Sequence, residues 1–103
     1  MIFEWRTYQA ADNAAPAMKD RFMKHTLRFF AKHGIGVIGV YSDSADPSKL
    51  YYLTQFETDE KRQAAWKAFQ SDPDWQAVKR DSEVNGALVA VQTTLVLHPE
   101  PAR

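Results

Sequence analysis

The 103-residue chain has no cysteine, four glycines, and no excess of either charge sign. The missing cysteine removes disulfide scaffolds, thiolate zinc sites, iron–sulfur clusters and thiol nucleophiles together. Thirteen basic residues balance thirteen acidic ones, and neither sign forms a long run. A sequence-independent nucleic-acid binder needs a basic stripe to displace counterions from phosphate, so nucleic acid is not an expected partner. No apolar run approaches the roughly 20 residues that span a bilayer, which argues against membrane insertion. The opening MIFEWRTYQ lacks the basic-then-apolar order of a signal peptide. With so few glycines there is also no phosphate loop: GIGVIG leads into a strand and not into a helix N-terminus, where anions are held. These absences lead to the expectation of one soluble, cytoplasmic domain over residues 1–103.

What is present has globular proportions, 45% hydrophobic and 25% charged. Ile2 to Tyr8 alternates, with Ile2, Glu4, Arg6 and Tyr8 on one face and Phe3, Trp5 and Thr7 on the other. The second face reads as core; the first is either solvated or covered by something polar. In the following loop Asp12 or Asn13 is placed to cap a helix and Pro16 fits its first turn. From Pro16 to His33, Met18, Phe22, Met23, Leu27, Phe29 and Phe30 recur at helical spacing, and Gly34 stops the helix. Ile35 to Ser42 and Lys49 to Glu57 form a hairpin around DSADPS. Thr58 caps a second helix, Asp72-Pro73 restarts it, and Leu88 to Leu97 is a last strand with Val89, Val91, Thr93, Leu95 and Leu97 facing one way. The order β-α-β-β-α-β implies an α+β, ferredoxin-like domain: a four-stranded antiparallel sheet with helices on one face.

Such a fold leaves one sheet face open, and in a monomer that face should be polar. IGVIGVY, KLYYLTQF and LVAVQTTLVL carry apolar or aromatic groups on both faces. Contiguous apolar patches of that kind call for a cover, and a second copy related by two-fold symmetry is the simplest one. The expectation is a homodimer through the sheet faces, a dimeric α+β barrel.

EWRTY (4–8), KHTLRFFAKHGI (24–35), FETDEKRQAAWKAFQSDPDWQAV (56–78) and TTLVLHP (93–99) together resemble the NIPSNAP family, within the dimeric α+β barrel proteins. The acidic-capped helix followed by Asp-Pro-acidic-Trp is the most specific of these segments. Two departures stand out: QAADNAAP replaces the family's usual Lys-Pro-Gly-like turn, and Arg28 stands where a proline often follows the His-x-Leu of helix one. The resemblance implies the same protomer and homodimer. It implies no settled activity, although wider relatives of this fold include cofactor-independent monooxygenases, lactone isomerases and haem enzymes.

Among the histidines, His25 lies three residues after Phe22 and four before Phe29, beside the core face of helix one, and is the candidate catalytic base. The competing reading is a purely structural histidine, bonded to a backbone carbonyl or a polar partner. His33 suits a helix-end cation and His98 a surface position. Arg6, Tyr8 and Tyr52 are the candidate ligand-binding residues, Arg6 as an anion anchor and a tyrosine as hydrogen-bond donor. The competing reading of Arg6 is a Glu4–Arg6 polar cluster at the dimer interface. Tyr51 and Tyr52 point to opposite faces, so one of them lines any given pocket. Trp66, Phe69 and Trp75 read as core, with a ligand-stacking wall as the sharper alternative. His25 and His33 are too far apart for a shared metal, and no cofactor is called for. Two functions follow: a non-catalytic interaction or stress-response module, or a small-molecule-binding enzyme of the cofactor-independent monooxygenase or isomerase type. The second would hold a small apolar or aromatic compound in a pocket between helix one and the sheet.

Overall fold

A computed structural model describes residues 1–101. The elements run β1 (Ile2–Ala10), α1 (Ala15–Arg21), a π-helical turn (Phe22–Thr26), α2 (Leu27–Lys32), β2 (Gly36–Ser42), β3 (Lys49–Phe56), α3 (Asp59–Ser71), α4 (Pro73–Ser82) and β4 (Val89–Leu97). The strands form one antiparallel sheet in the order β2-β3-β1-β4. Helices cover one face, giving a two-layer slab of 49 × 35 × 19 Å.

Local chemistry explains most boundaries. Pro16 sits at the start of α1 and Gly34 takes the left-handed conformation, φ 76°, that ends α2. The Thr58 hydroxyl accepts from the Lys61 amide at 3.1 Å, and Asp72 accepts from the Asp74 amide at 2.8 Å, so both later helices have side-chain caps. In the β2–β3 turn, Asp43 and Asp46 accept from the amides of Ala45 and Ser48. At the start of α1 neither Asp12 nor Asn13 serves as the cap. That position falls to Ala14, which offers no side-chain bond, while Asn13 is spent on a left-handed turn at φ 62°.

Between the layers lie Met18, Phe22, Phe30, Ile35, Leu50, Tyr52, Phe56, Phe69 and Trp75, all buried. The aromatic rings interlock: Phe22 on Tyr52 at 4.8 Å, Phe30 on Phe69 at 5.0 Å, Phe69 on Trp75 at 4.8 Å. Each such ring contributes about 1.5–3 kcal/mol by leaving water, and the tilted contacts add to that. Met23, expected in this stripe, is exposed instead.

The two faces of β1 are reversed from their expected roles. Ile2, Glu4, Arg6 and Tyr8 lie under the helices, and Phe3, Trp5 and Thr7 line the open face. Cross-strand neighbours share a face, and Glu4 and Arg6 oppose the fully buried Thr54 and Tyr52. What reverses the hydrophobic pattern is pairing. Glu4, 1% exposed, accepts from Arg62 Nη1 at 2.7 Å, Trp66 Nε1 at 3.0 Å and Arg6 Nη1 at 3.3 Å. A buried carboxylate is tolerated only when satisfied in this way. The Glu4–Arg6 cluster therefore sits beneath the helices and not on the face expected to meet a partner.

On the open face Trp5 stacks with Tyr51 and Tyr41 at 5.7 and 5.8 Å. Val91, Thr93, Leu95 and Leu97 continue that face, opposite Gln9, Thr7, Trp5 and Phe3. A register shift between Gln9 and Ala10 takes Val89 out of the row, pairs it with Ala10 and packs it against the core.

Candidate ligand cavity

Where the helix layer leaves β4 partly uncovered, a cavity of about 400 Å³ opens between helices and sheet. Arg6 and Tyr8 of β1 form its floor, with Val89, Ala90 and Gln92 of β4 beside them. Gln92 is the cross-strand partner of Tyr8. Trp66, Phe69 and Trp75 supply aromatic wall, so these rings are at once core and lining. A more open depression along Leu27, Ala31 and Gly34–Val37 presents no polar side chain.

The far wall depends on the π-helical turn. There the Leu27 amide reaches back to the Phe22 carbonyl, five residues instead of four, and the Thr26 hydroxyl donates to the Arg21 carbonyl at 3.4 Å. The extra residue in the turn brings Arg21, Phe22 and Thr26 together onto the cavity side, all three buried. Single π turns of this kind are frequent at functional sites.

The same widening explains His25. At regular α-helical spacing both His25 and Thr26 flank the stripe below Phe22; in the π turn Thr26 occupies it. His25 is not among the cavity-lining residues, and its Nδ1 lies 3.1 Å from Arg28 Nη2 on the outer side of the helix. His33 joins Asp72 instead: its Nε2 is 2.7 Å from Asp72 Oδ2, which Lys32 Nζ also reaches at 2.7 Å. The hydrogen bonds from Lys32 and His33 hold the Asp72 carboxyl well below the usual carboxylate range. This cluster ties the end of α2 to the start of α4.

Arg6, Tyr8 and Tyr52 are brought together in one hydrogen-bonded chain. Arg6 Nε donates to the Tyr52 hydroxyl at 2.7 Å, and Tyr52 donates to the Tyr8 hydroxyl at 2.8 Å. Tyr52 is wholly buried beneath the cavity floor, whereas Arg6 and Tyr8 line it. Burial, reinforced by Tyr8, raises the Tyr52 phenol well above its ordinary pKa, so it keeps its proton. The Arg6 charge is opposed by burial, but Tyr52, Tyr8 and Glu4 outweigh that opposition and raise its pKa. Its guanidinium lies 4.2 Å from the centre of the Trp66 ring, a cation–π contact.

A second buried guanidinium, Arg21, donates through Nη1 to Ser82 Oγ at 3.0 Å and Glu83 Oε2 at 3.2 Å. Reading the sequence for chemistry missed Arg21, Lys79 and Glu83. Arg21 did leave a signal: it falls three residues after Met18 and one before Phe22, within the apolar stripe of the helix, where an arginine is out of place. Lys79 and Glu83 left none, because what matters is their position after the chain folds. The lining thus carries three cations, Arg6, Arg21 and Lys79, against the single carboxylate of Glu83.

The NIPSNAP family model matches residues 3–101. Among solved structures, the chain is similar to an uncharacterized NIPSNAP domain protein from Burkholderia xenovorans, with 21% identity, a TM-score of 0.80, and coverage of 97% of this chain and 95% of that one. A NIPSNAP family protein of unknown function from Agrobacterium tumefaciens gives 19% identity and a TM-score of 0.82, covering 96% and 87%. More distantly, a protein from Nitrosomonas europaea described as a candidate antibiotic biosynthesis monooxygenase gives 11% identity and a TM-score of 0.67 over 96% and 98%. At these identities the structural likeness is one of fold. No match emerges among curated proteins.

Proposed function

The chain belongs to the NIPSNAP family, and we propose that it works as a homodimer whose protomers each bind a small, flat organic compound in the cavity above β1 and β4. The cavity carries this reading. Its volume lies at the low end of the ~300–1,000 Å³ typical of small-molecule sites, and it combines aromatic walls with a few convergent polar groups, as such sites do. Binding is favoured over catalysis because proton abstraction needs a base at the ligand. The one lining carboxylate, Glu83, is held by Arg21, and His25 faces outward, where it would serve only a ligand reaching the outer side of the π turn. Thermal-shift screening of small aromatic compounds tests the site; a screen in which nothing stabilises the protein, while a plugged Ala90→Trp variant behaves identically, would count against it.

The homodimer is supported by area and chemistry. A monomer of 11.8 kDa is expected to expose about 5,900 Å², whereas this chain exposes 6622 Å². The excess of roughly 700 Å² is close to the ~800 Å² that each partner contributes to a standard interface. Tyr41, Val91 and Leu95, 46%, 56% and 59% exposed, lie on the face where Trp5 and Tyr51 stack. Sedimentation at micromolar concentration should give a dimer, and Leu95→Glu, which places a charge in the apolar row, should give a monomer. A monomeric wild type would refute the arrangement. No helix among the described residues is long and apolar enough to cross a membrane, and the proposed setting is a soluble, cytoplasmic one.

A further inference from the structure

The cavity floor has a fixed hydrogen-bond direction. Arginine only donates, so Arg6 makes Tyr52 an acceptor at 2.7 Å. The Tyr52 hydroxyl is buried with two polar neighbours, Arg6 and Tyr8, and its single proton must therefore go to Tyr8 at 2.8 Å. Tyr8 then accepts at the sheet end and retains its own proton, for which no acceptor is found among the described residues. Tyr8 also lines the cavity. Its hydroxyl thus has a proton to offer a ligand group that accepts there.

From this geometry we infer that the cavity selects an aromatic carboxylate, its acid group set between the Tyr8 hydroxyl and the Arg21 and Lys79 cations and its ring against Trp66 and Trp75. Charge points the same way. Glu4 is the counter-ion of Arg6 and is itself reached by Arg62; Glu83 is the counter-ion of Arg21. Lys79 has no ion-pair partner among the described residues, leaving the lining net positive. A guanidinium offers a planar fork that matches a carboxylate. Trp66 already holds one flat cation, Arg6, over its ring at 4.2 Å, and Trp75 lies 5.6 Å from the Arg21 guanidinium. An ammonium ligand meets like charge and a donor; a neutral alcohol loses the charge-assisted bonds.

This inference rests on the reading of the cavity as a ligand site, and the two fail differently. The protein is titrated by calorimetry with three probes sharing one ring: 2-naphthoate, 2-naphthalenemethanol and 2-naphthylmethylammonium. Naphthoate should bind at least tenfold more tightly than the alcohol, with the ammonium weakest. Tyr8→Phe should lower naphthoate affinity about tenfold and alcohol affinity far less, while Ala90→Trp, filling the cavity from β4, should abolish both. Should Tyr8→Phe fail to fold, the head-group series and the Ala90→Trp variant carry the test. Equal binding of the three probes, or preference for the ammonium, overturns the carboxylate inference and leaves the cavity standing. Binding that survives Ala90→Trp, or no binding by any probe, overturns both.

Discussion

Replacing Glu4 by glutamine keeps its shape and removes the charge on which three donors converge. Cutting one partner from a buried ion pair costs roughly 3–5 kcal/mol, because the remaining charge is left dry and unpaired. Here the cost is moderated. The Arg6 and Arg62 side chains retain 11% and 20% exposure, and Arg62 keeps Asp59 at 2.8 Å. The glutamine oxygen also still accepts from Trp66. A loss of about 2–3 kcal/mol follows, out of a total of about 5–15. At roughly 2 cal/mol/K of unfolding entropy per residue this lowers Tm by about 10–15 °C. Urea unfolding followed by tryptophan fluorescence measures it, with the m-value unchanged if both variants unfold from the same compact state. Arg62→Met should cost less, since Glu4 keeps Arg6 and Trp66. The Glu4→Gln/Arg62→Met double mutant should show coupling of about 1 kcal/mol or more. A Glu4→Gln loss below about 1 kcal/mol, or simple additivity, would show that the cluster does not hold β1 against the helices.

Asp72 accepts from Lys32, His33 and two backbone amides, which lowers its folded pKa, so its contribution is complete above the unfolded value near ~4 and is lost as pH falls further. Asp72→Asn should be less stable at neutral pH and should lose less on acidification from pH 5 to 2; parallel profiles for the two proteins would be evidence against the cluster. A Cβ on Gly39 would come within 2.6 Å of Tyr41 Cζ. Gly39→Val should therefore push that half-exposed ring off Trp5 and weaken the proposed dimer about tenfold, or ~1.4 kcal/mol, with little change in protomer unfolding; an unchanged dissociation constant by sedimentation would refute the proposed aromatic seam. Tyr52→Phe leaves Arg6 Nε without its partner in a largely buried site. It should cost about 1.5–3 kcal/mol, the range for hydrogen bonds to charged groups, measured again by urea, and a neutral outcome would deny the chain its structural weight.

Element type and order were legible because they rest on local chemistry: the Thr58 and Asp72 caps, Pro16 and Pro73 at first turns, Gly34 past the end of α2, and alternation in β1 and β3. The family was legible for a related reason, since FETDEKRQAAWKAFQSDPDWQAV combines a capped helix with an Asp-Pro restart and a buried Trp75 within one continuous segment. Of the candidate site residues, Arg6, Tyr8 and Tyr52 could be named because strand alternation puts the first two on one face and sets Tyr52 apart from Tyr51. Which face was covered could not be read. Hydropathy points to Phe3, Trp5 and Thr7, and only Arg62 and Trp66, arriving from 58 and 62 residues away, make Glu4 affordable inside. Periodicity likewise assumes a regular helix, so it set His25 beside the core face and gave no sign of the π turn that buries Thr26. Composition and spacing therefore determined the elements and their order. Burial of charge, the extra residue in one helical turn and the direction of the Arg6–Tyr52–Tyr8 chain were decided by tertiary structure, because each depends on partners that no local stretch of sequence contains.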